Sequence, residues 1–167
     1  WPMLWAHYLV EEKFINSYPQ WFCFQKSKND DGGLYYGFPV LSRNKNNIPR
    51  IKVGIDWAPP NIIGIDNKSM ENPFMDPLKQ MLDDFILNNI NGVIACDETF
   101  VSPYTMTSDV NFILDKPKPN ITVFSGGSGQ SFKFAPLIGK CLAEKALNKN
   151  CSFDISCWEI NRVMTKT

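Results

Sequence analysis

Hydrophobic and polar positions alternate through the first third of the chain. "AHYLVEEKF" and "QWFCFQ" are aromatic and β-branched runs of strand length, with Tyr18-Pro19 punctuating between them. "NDDGG" (Asn29 to Gly33) is a turn cluster, and "LYYGFPVL" reads as the return strand of a hairpin. The polar loop "SRNKNNIP" leads into "RIKVGID", a further strand, and residues 57–75, with Pro59, Pro60 and Pro73, form an irregular connector. The period then lengthens. Leu78, Met81, Leu82, Phe85 and Ile86 recur at helical spacing behind Asp76 as N-cap and Pro77 at the first helical position, which predicts a surface helix facing a core.

Beyond it "GVIACDETFVSPYT" reads extended, and "NFILD" is a short strand stopped by a Lys-Pro-Lys-Pro turn. "ITVF" has the form of a strand buried in a sheet. A last helix is expected to follow directly on "SGGSGQSFKF", with Phe134, Leu137, Ile138, Cys141 and Leu142 on one face and Pro136 in its first turn. The pattern is that of an α/β chain (an α+β mix), without internal repeats.

Composition narrows the partners. Seventeen basic and seventeen acidic residues cancel, and a chain without a basic block does not suit sequence-independent nucleic-acid binding. No apolar run approaches the roughly 20 residues that span a bilayer, and the opening "WPMLWAHYLVEEKF" lacks the layout of a signal peptide. The cytoplasm is therefore the expected location, with the peroxisome as alternative, although the ending "MTKT" is not a peroxisomal tripeptide. Five cysteines (Cys23, Cys96, Cys141, Cys151, Cys157) form no CxxC pair and read as reduced thiols. The sequons at Asn67, Asn120 and Asn150 are read as coincidence. With His7 as the single histidine, a His-rich metal site is excluded and a Ser-His-Asp triad would depend on His7 alone; it reads as a strand residue.

Two features carry candidate chemistry. Gly126, Gly127 and Gly129 let a ligand approach the backbone, and the helix expected after them would offer unpaired N–H groups to a negative charge, with Lys133 at its mouth. As a dinucleotide fingerprint the turn fails, because Phe132 stands where the third glycine belongs; a plain strand-to-helix turn is the alternative. Lys52, between Ile51 and Val53, either extends its stem from an outer face or points into a pocket. Tyr35, Tyr36 and Tyr104 suit a core or a pocket wall equally, and the pairs Asp30-Asp31 and Asp83-Asp84 are assigned to solvent.

In order along the chain, "YYGFP", "IKVG", "YTMTSDVNFILD", "NITVFSGGSGQSFKFAPLIG", "FDIS" and "INR" resemble the C-terminal half of the sarcosine oxidase family of FAD-dependent amine oxidases, which includes pipecolate and fructosyl-amine oxidases. The resemblance implies oxidation of a secondary amine or N-substituted amino acid, with oxygen as acceptor and peroxide as product. It implies that residues 1–100 form part of a substrate-binding domain, and residues 101–167 the C-terminal portion of an FAD-binding domain. The turn Gly126, Gly127, Ser128, Gly129, Gln130, Ser131, Phe132 would lie against the flavin, Lys133 would bind the substrate carboxylate, and Lys52 would assist electron transfer to oxygen. Tyr36, Tyr104 and Asp56 fall at substrate-pocket positions.

Four departures accompany the resemblance. Ser102 stands where many members carry the cysteine that attaches flavin, so FAD is expected to be non-covalent, if bound at all. Asp56 replaces a pocket histidine, and Gln130-Ser131 replaces the usual His-Gly. The family's N-terminal GxGxxG does not occur in this sequence. The nucleotide site would then need an N-terminal half or a second chain, and the alternative is a truncated or degenerate non-catalytic relative acting as a binding or scaffold module.

Overall fold

The computed structural model describes residues 2–24, 34–56 and 75–164. The predicted turn at 29–33, the carboxylates Asp30 and Asp31, the prolines of the connector and the sequon at Asn67 lie outside them. The chain divides into two compact units, Trp1–Pro103 and Tyr104–Thr167.

The first unit is an antiparallel sheet covered on one face by a helix. Its strands are β1 (Pro2–Val10), β2 (Trp21–Phe24), β3 (Leu34–Arg43), β4 (Pro49–Asp56) and β5 (Val93–Pro103), in the order β2-β3-β4-β1-β5. The period-2 alternation does what it predicts. Leu4, Ala6, Tyr8 and Val10 of β1, with Ile51, Val53 and Ile55 of β4, turn to one face and are buried there. Helix α1 (Met75–Asn89) closes that face with Leu78, Leu82, Phe85 and Ile86. Tyr35 belongs to this core, its ring stacked 4.0 Å from that of Phe85.

Several local expectations are corrected. The "EEKF" end of the first run leaves the sheet as a 3-10 turn, Glu12–Phe14, because three successive charged residues cannot alternate between a buried and a solvated face. Asp76 lies inside the first turn of α1 rather than capping it, where its carboxylate still meets the positive end of the helix. Met81 falls at the margin of the apolar stripe, 37% exposed. Asp83 is not simply solvated: it accepts a 2.6 Å hydrogen bond from the Tyr8 hydroxyl and pairs with Lys79. A fully buried phenol needs such an acceptor.

The second unit pairs β6 (Ile113–Lys118) with β7 (Ile121–Ser125), antiparallel. Its core joins Phe112 and Leu114 to Ile138 and Cys141 of α2 (Ala135–Ala146) and to Ile155. A 3-10 turn (Ser156–Trp158) and the short α3 (Asn161–Met164) follow. Strand β6 runs on through Lys118, so the turn is confined to Pro119-Asn120; Pro117 is tolerated because an edge strand need not donate on its outer side. The expectation that "ITVF" is buried fails. Among the described residues β7 is hydrogen-bonded only to β6, and Ile121 is 46% exposed. Nor does the last helix start directly after the glycines. A 3-10 turn, Ser131–Phe134, intervenes, and the α-helix begins where Pro136 sets its first turn, leaving Phe134 38% exposed at the margin of the core, its ring edge-on to Phe112 at 5.7 Å. Among the described residues no helix is long and apolar enough to cross a membrane. The five cysteines are free thiols, as expected.

Candidate functional site

The candidate residues fall on both units, and each half has its own architecture. In the first unit they occupy the sheet face opposite α1. Lys52 pairs across the sheet with His7 of β1 and Phe38 of β3, and Gly54 with Trp5 and Tyr36. These registers gather aromatic side chains from three strands around one lysine. The Lys52 ammonium lies 4.1 Å from the centre of the Trp5 ring and 5.8 Å from that of Phe38. Trp5 is stacked on Phe100 of β5 at 4.1 Å. Among the described residues Lys52 has no acidic partner within salt-bridge distance, so its charge is held by ring faces and stem packing.

The neighbouring cation is treated differently. Arg50, on the same face, is neutralised by Asp97 at 3.0 Å and Glu98 at 2.8 Å. His7 is a strand residue, as expected, with its Nδ1 3.8 Å from Glu98 and buried without a hydrogen-bond partner among the described residues. Burial, reinforced by Arg50, lowers its pKa and keeps the imidazole neutral near pH 7. The local positive charge beside the aromatic rings is therefore that of Lys52.

Ser102 accepts a hydrogen bond from the Trp5 indole N–H at 2.9 Å. It thereby orients the ring that carries Lys52. Tyr36 lies across Gly54, where a Cβ would meet its ring at 2.2 Å. Asp56 ends β4 with the same parity as Lys52 and is exposed. Surrounding atoms push its carboxyl above the usual range, an effect that solvent exposure opposes. The sequence reading missed Trp5, Phe38 and Phe100. Their parity along each strand was available, but the registers that bring them together were not.

In the second unit the glycine turn is clamped by the "YTMTSD" segment. Gly129 has a φ of +68°, and a Cβ there would fall 2.2 Å from the Tyr104 ring. Gly126, also at +68°, rests on the Thr107 methyl. The Ser128 amide donates to the Thr105 carbonyl at 3.0 Å, and those of Gln130 and Ser131 to the Gly127 carbonyl at 2.8 and 3.1 Å. Three of the turn's N–H groups are thus consumed internally. Those of Gly127 and Gly129 have no hydrogen bond to a described residue. Buried Ser128 is a structural member of the turn, its hydroxyl donating to the Gly126 carbonyl. Phe132 projects outward, 93% exposed. Lys133 is exposed on the intervening 3-10 turn, its ammonium 5.5 Å from the centre of the Phe134 ring. Gln130 borders a hollow of about 190 Å³ with Phe112, Phe134 and Trp158.

Two separated motifs meet behind this turn. Arg162 of "INR" grips Asp109 of "YTMTSD" through Nε at 2.7 Å and a second nitrogen at 3.3 Å, and also donates to the Asn111 carbonyl. The Thr107 hydroxyl donates to the same carbonyl at 2.7 Å. The network stabilises Val110 at a φ of +62°, costly for a β-branched residue. The Arg162 guanidinium holds the Asp109 carboxyl well below the usual range. A depressed carboxylate contributes stability above its unfolded pKa of about 3.9, and that contribution is lost as pH falls through the folded value. Thermal melts between pH 5 and 2 are accordingly expected to fall below about pH 4. Asp109→Asn should lower the melting temperature at neutral pH and flatten that acid slope. An unchanged slope would remove Asp109 as its source.

No protein-family model matches the chain. It is 36% identical over 138 residues to N-methyl-L-tryptophan oxidase of Salmonella dublin, a match covering 79% of this chain and 34% of that protein. It is 30% identical over 137 residues to monomeric sarcosine oxidase of Bacillus sp. strain NS-129, covering 79% and 33%. The chain thus spans about a third of the length of the curated relatives it matches. Over that stretch the chain is similar to these amine oxidases and fits the C-terminal part of such a protein.

Proposed function

We propose that this chain supplies the substrate-side sheet and part of the cofactor site of an FAD-dependent oxidase of secondary amines or N-substituted amino acids, with oxygen as acceptor and peroxide as product. The observation that carries the reading is Lys52, a cation without a described acidic partner, seated on Trp5 and Phe38. An unneutralised charge on a flat aromatic surface suits a planar, electron-rich ring and the reduction of oxygen beside it.

The donor set fits flavin. Gly127 and Gly129 keep two amide N–H groups in a turn where Gly129 is backed by Tyr104 and is itself exposed. These N–H groups would meet the negative charge of the ring's pyrimidine edge. Flavin, when bound, accepts a hydride equivalent from the carbon beside the amine nitrogen and passes the two electrons to oxygen. Lys133 would hold the substrate carboxylate as an exposed point charge. Tyr36, fixed over Gly54, and Tyr104, fixed against Gly129, would each supply a rigid wall for substrate on its own unit. Ser102, occupied by the Trp5 indole, would position Trp5 under Lys52 and leave the flavin non-covalent. Residues 1–100 would then serve the substrate and residues 101–167 the cofactor.

The test is the visible spectrum of the protein after addition of FAD and removal of free flavin by gel filtration, followed by a peroxide assay with N-methyl amino acids, pipecolate and fructosyl-amines. Retained flavin bands and peroxide release are expected from the full-length protein. Folded but colourless full-length protein would refute the reading in favour of a non-catalytic relative, which Ser102 and Asp56 favour.

A further inference from the structure

Outside the flavin-side residues, the chain places two sulfurs and a carboxylate together at the end of α2. Cys141 and Glu144 stand three residues apart on the helix and share a face. The helix then stops in a Schellman turn. Asn148 adopts a φ of +56°, its amide donates to the Lys145 carbonyl at 3.1 Å, and the Lys149 amide donates to the Glu144 backbone carbonyl at 2.8 Å. That geometry reverses the chain and returns Cys151 over the helix, its Sγ 3.8 Å from the Cys141 carbonyl oxygen. One ligand atom from each of Cys141, Glu144 and Cys151 lies within 4.8 Å of the other two.

We propose that Cys141, Glu144 and Cys151 form a binding site for a thiophilic divalent cation of the zinc type, with water in the fourth position. A tetrahedral ion with bonds of about 2.3 Å to sulfur and about 2.0 Å to oxygen sets its ligand atoms roughly 3.5–3.8 Å apart. The present separations, all within 4.8 Å, exceed that by about 1.3 Å at most, within reach of side-chain rotation. Glu144 is already aimed: the Ser152 amide donates to one carboxylate oxygen at 2.9 Å and the Ser152 hydroxyl to the other. Such outer partners fix a ligating carboxylate and leave its remaining lone pairs for the ion. Two thiolates and a carboxylate around a divalent ion carry one net negative charge. Lys140, 4.0 Å from Glu144, stands beside it.

The donor chemistry selects the ion. Two sulfurs favour zinc, cadmium or cobalt over calcium and magnesium, which require oxygen ligands. A disulfide between the two cysteines would give the oriented Glu144 no role. The ion would tie residues 147–155 to α2, and with them Ile155, which packs into the core of this unit. Nothing in this proposal depends on flavin binding.

Cobalt(II) titration of the reduced full chain, with zinc as competitor, is the test. One equivalent of cobalt should give a thiolate charge-transfer band and the intense visible bands of four-coordinate cobalt, both abolished by zinc. Cys151→Ser should roughly halve the charge-transfer band or weaken binding at least ~100-fold, and Glu144→Gln should weaken it ~10-fold or more. Cys157→Ser, at an exposed cysteine outside the cluster, should bind within about twofold of the parent. Circular dichroism checks the fold, and if Cys151→Ser unfolds, Glu144→Gln decides. The site is overturned if cobalt shows only weak octahedral bands or if neither variant changes binding. It is equally overturned if the reduced protein forms a Cys141–Cys151 disulfide in air that zinc does not retard.

Discussion

Under the proposed function, replacing Lys52 by methionine is expected to slow oxygen consumption by about 10²–10³-fold, the magnitude typical of removing one preorganised charge-stabilising group. Methionine keeps the length and apolar stem of lysine, so packing on Trp5 and Phe38 should persist and the sheet should fold. The discriminating measurement separates the two half-reactions. Anaerobic bleaching by amine should stay within about tenfold of the parent, while the second-order reaction of the reduced enzyme with oxygen carries the loss. Lys52→Arg, which restores the charge, should recover part of it. Equal losses in both half-reactions would make Lys52 a scaffold residue. Trp5→Phe and Ser102→Ala probe the same arrangement from beneath: the first removes the indole N–H, the second its acceptor at 2.9 Å.

Gly129→Ala should be the most damaging single-methyl addition in the second unit. Two independent penalties coincide there. The backbone at φ +68° costs a side-chain-bearing residue about 1–2 kcal/mol, and the new methyl would start 2.2 Å from the Tyr104 ring. Overpacking of that kind costs about 1–3 kcal/mol, so a loss of roughly 2–5 kcal/mol is expected in urea denaturation. Under the proposed function, flavin retention should fall with it. The control is Gly139→Ala on α2. Nothing lies within 4 Å of the added Cβ there, and the helix should gain up to about 1 kcal/mol. Similar effects at the two glycines would dismiss the Tyr104 contact as the cause.

The elements of this fold were largely visible in periodicity, because one face of each strand and one stripe of α1 are buried against each other. What periodicity could not supply was the number of neighbours. "ITVF" has the composition of a strand covered on both faces, yet β7 meets a single partner among the described residues. The candidate site divides in the same way. Gly126, Gly129 and Tyr104 were singled out in sequence, and the structure brings the glycine turn onto Tyr104 and Thr107. Lys52 was singled out too, but the rings that hold it come from positions 5 and 38, with Phe100 stacked behind Trp5. Registers depend on loops and pairings spread over the whole sheet, and a one-residue slip would invert every face. The ion pair of Asp109 with Arg162, 53 residues apart, was likewise illegible as a contact, although both motifs were recognised.

The two edges of the small sheet are not alike. Along β6 the sequence Lys116-Pro117-Lys118-Pro119 places charge and missing N–H groups where a foreign strand would have to dock, the usual protection of a solvent-facing edge. Strand β7, Ile-Thr-Val-Phe-Ser, carries no charge and no proline, and among the described residues no second strand pairs with its outer side. Such an edge can accept a further strand without meeting a charge or a missing N–H. Of the two strands, β7 is therefore the one whose outer side carries the liability for unwanted pairing.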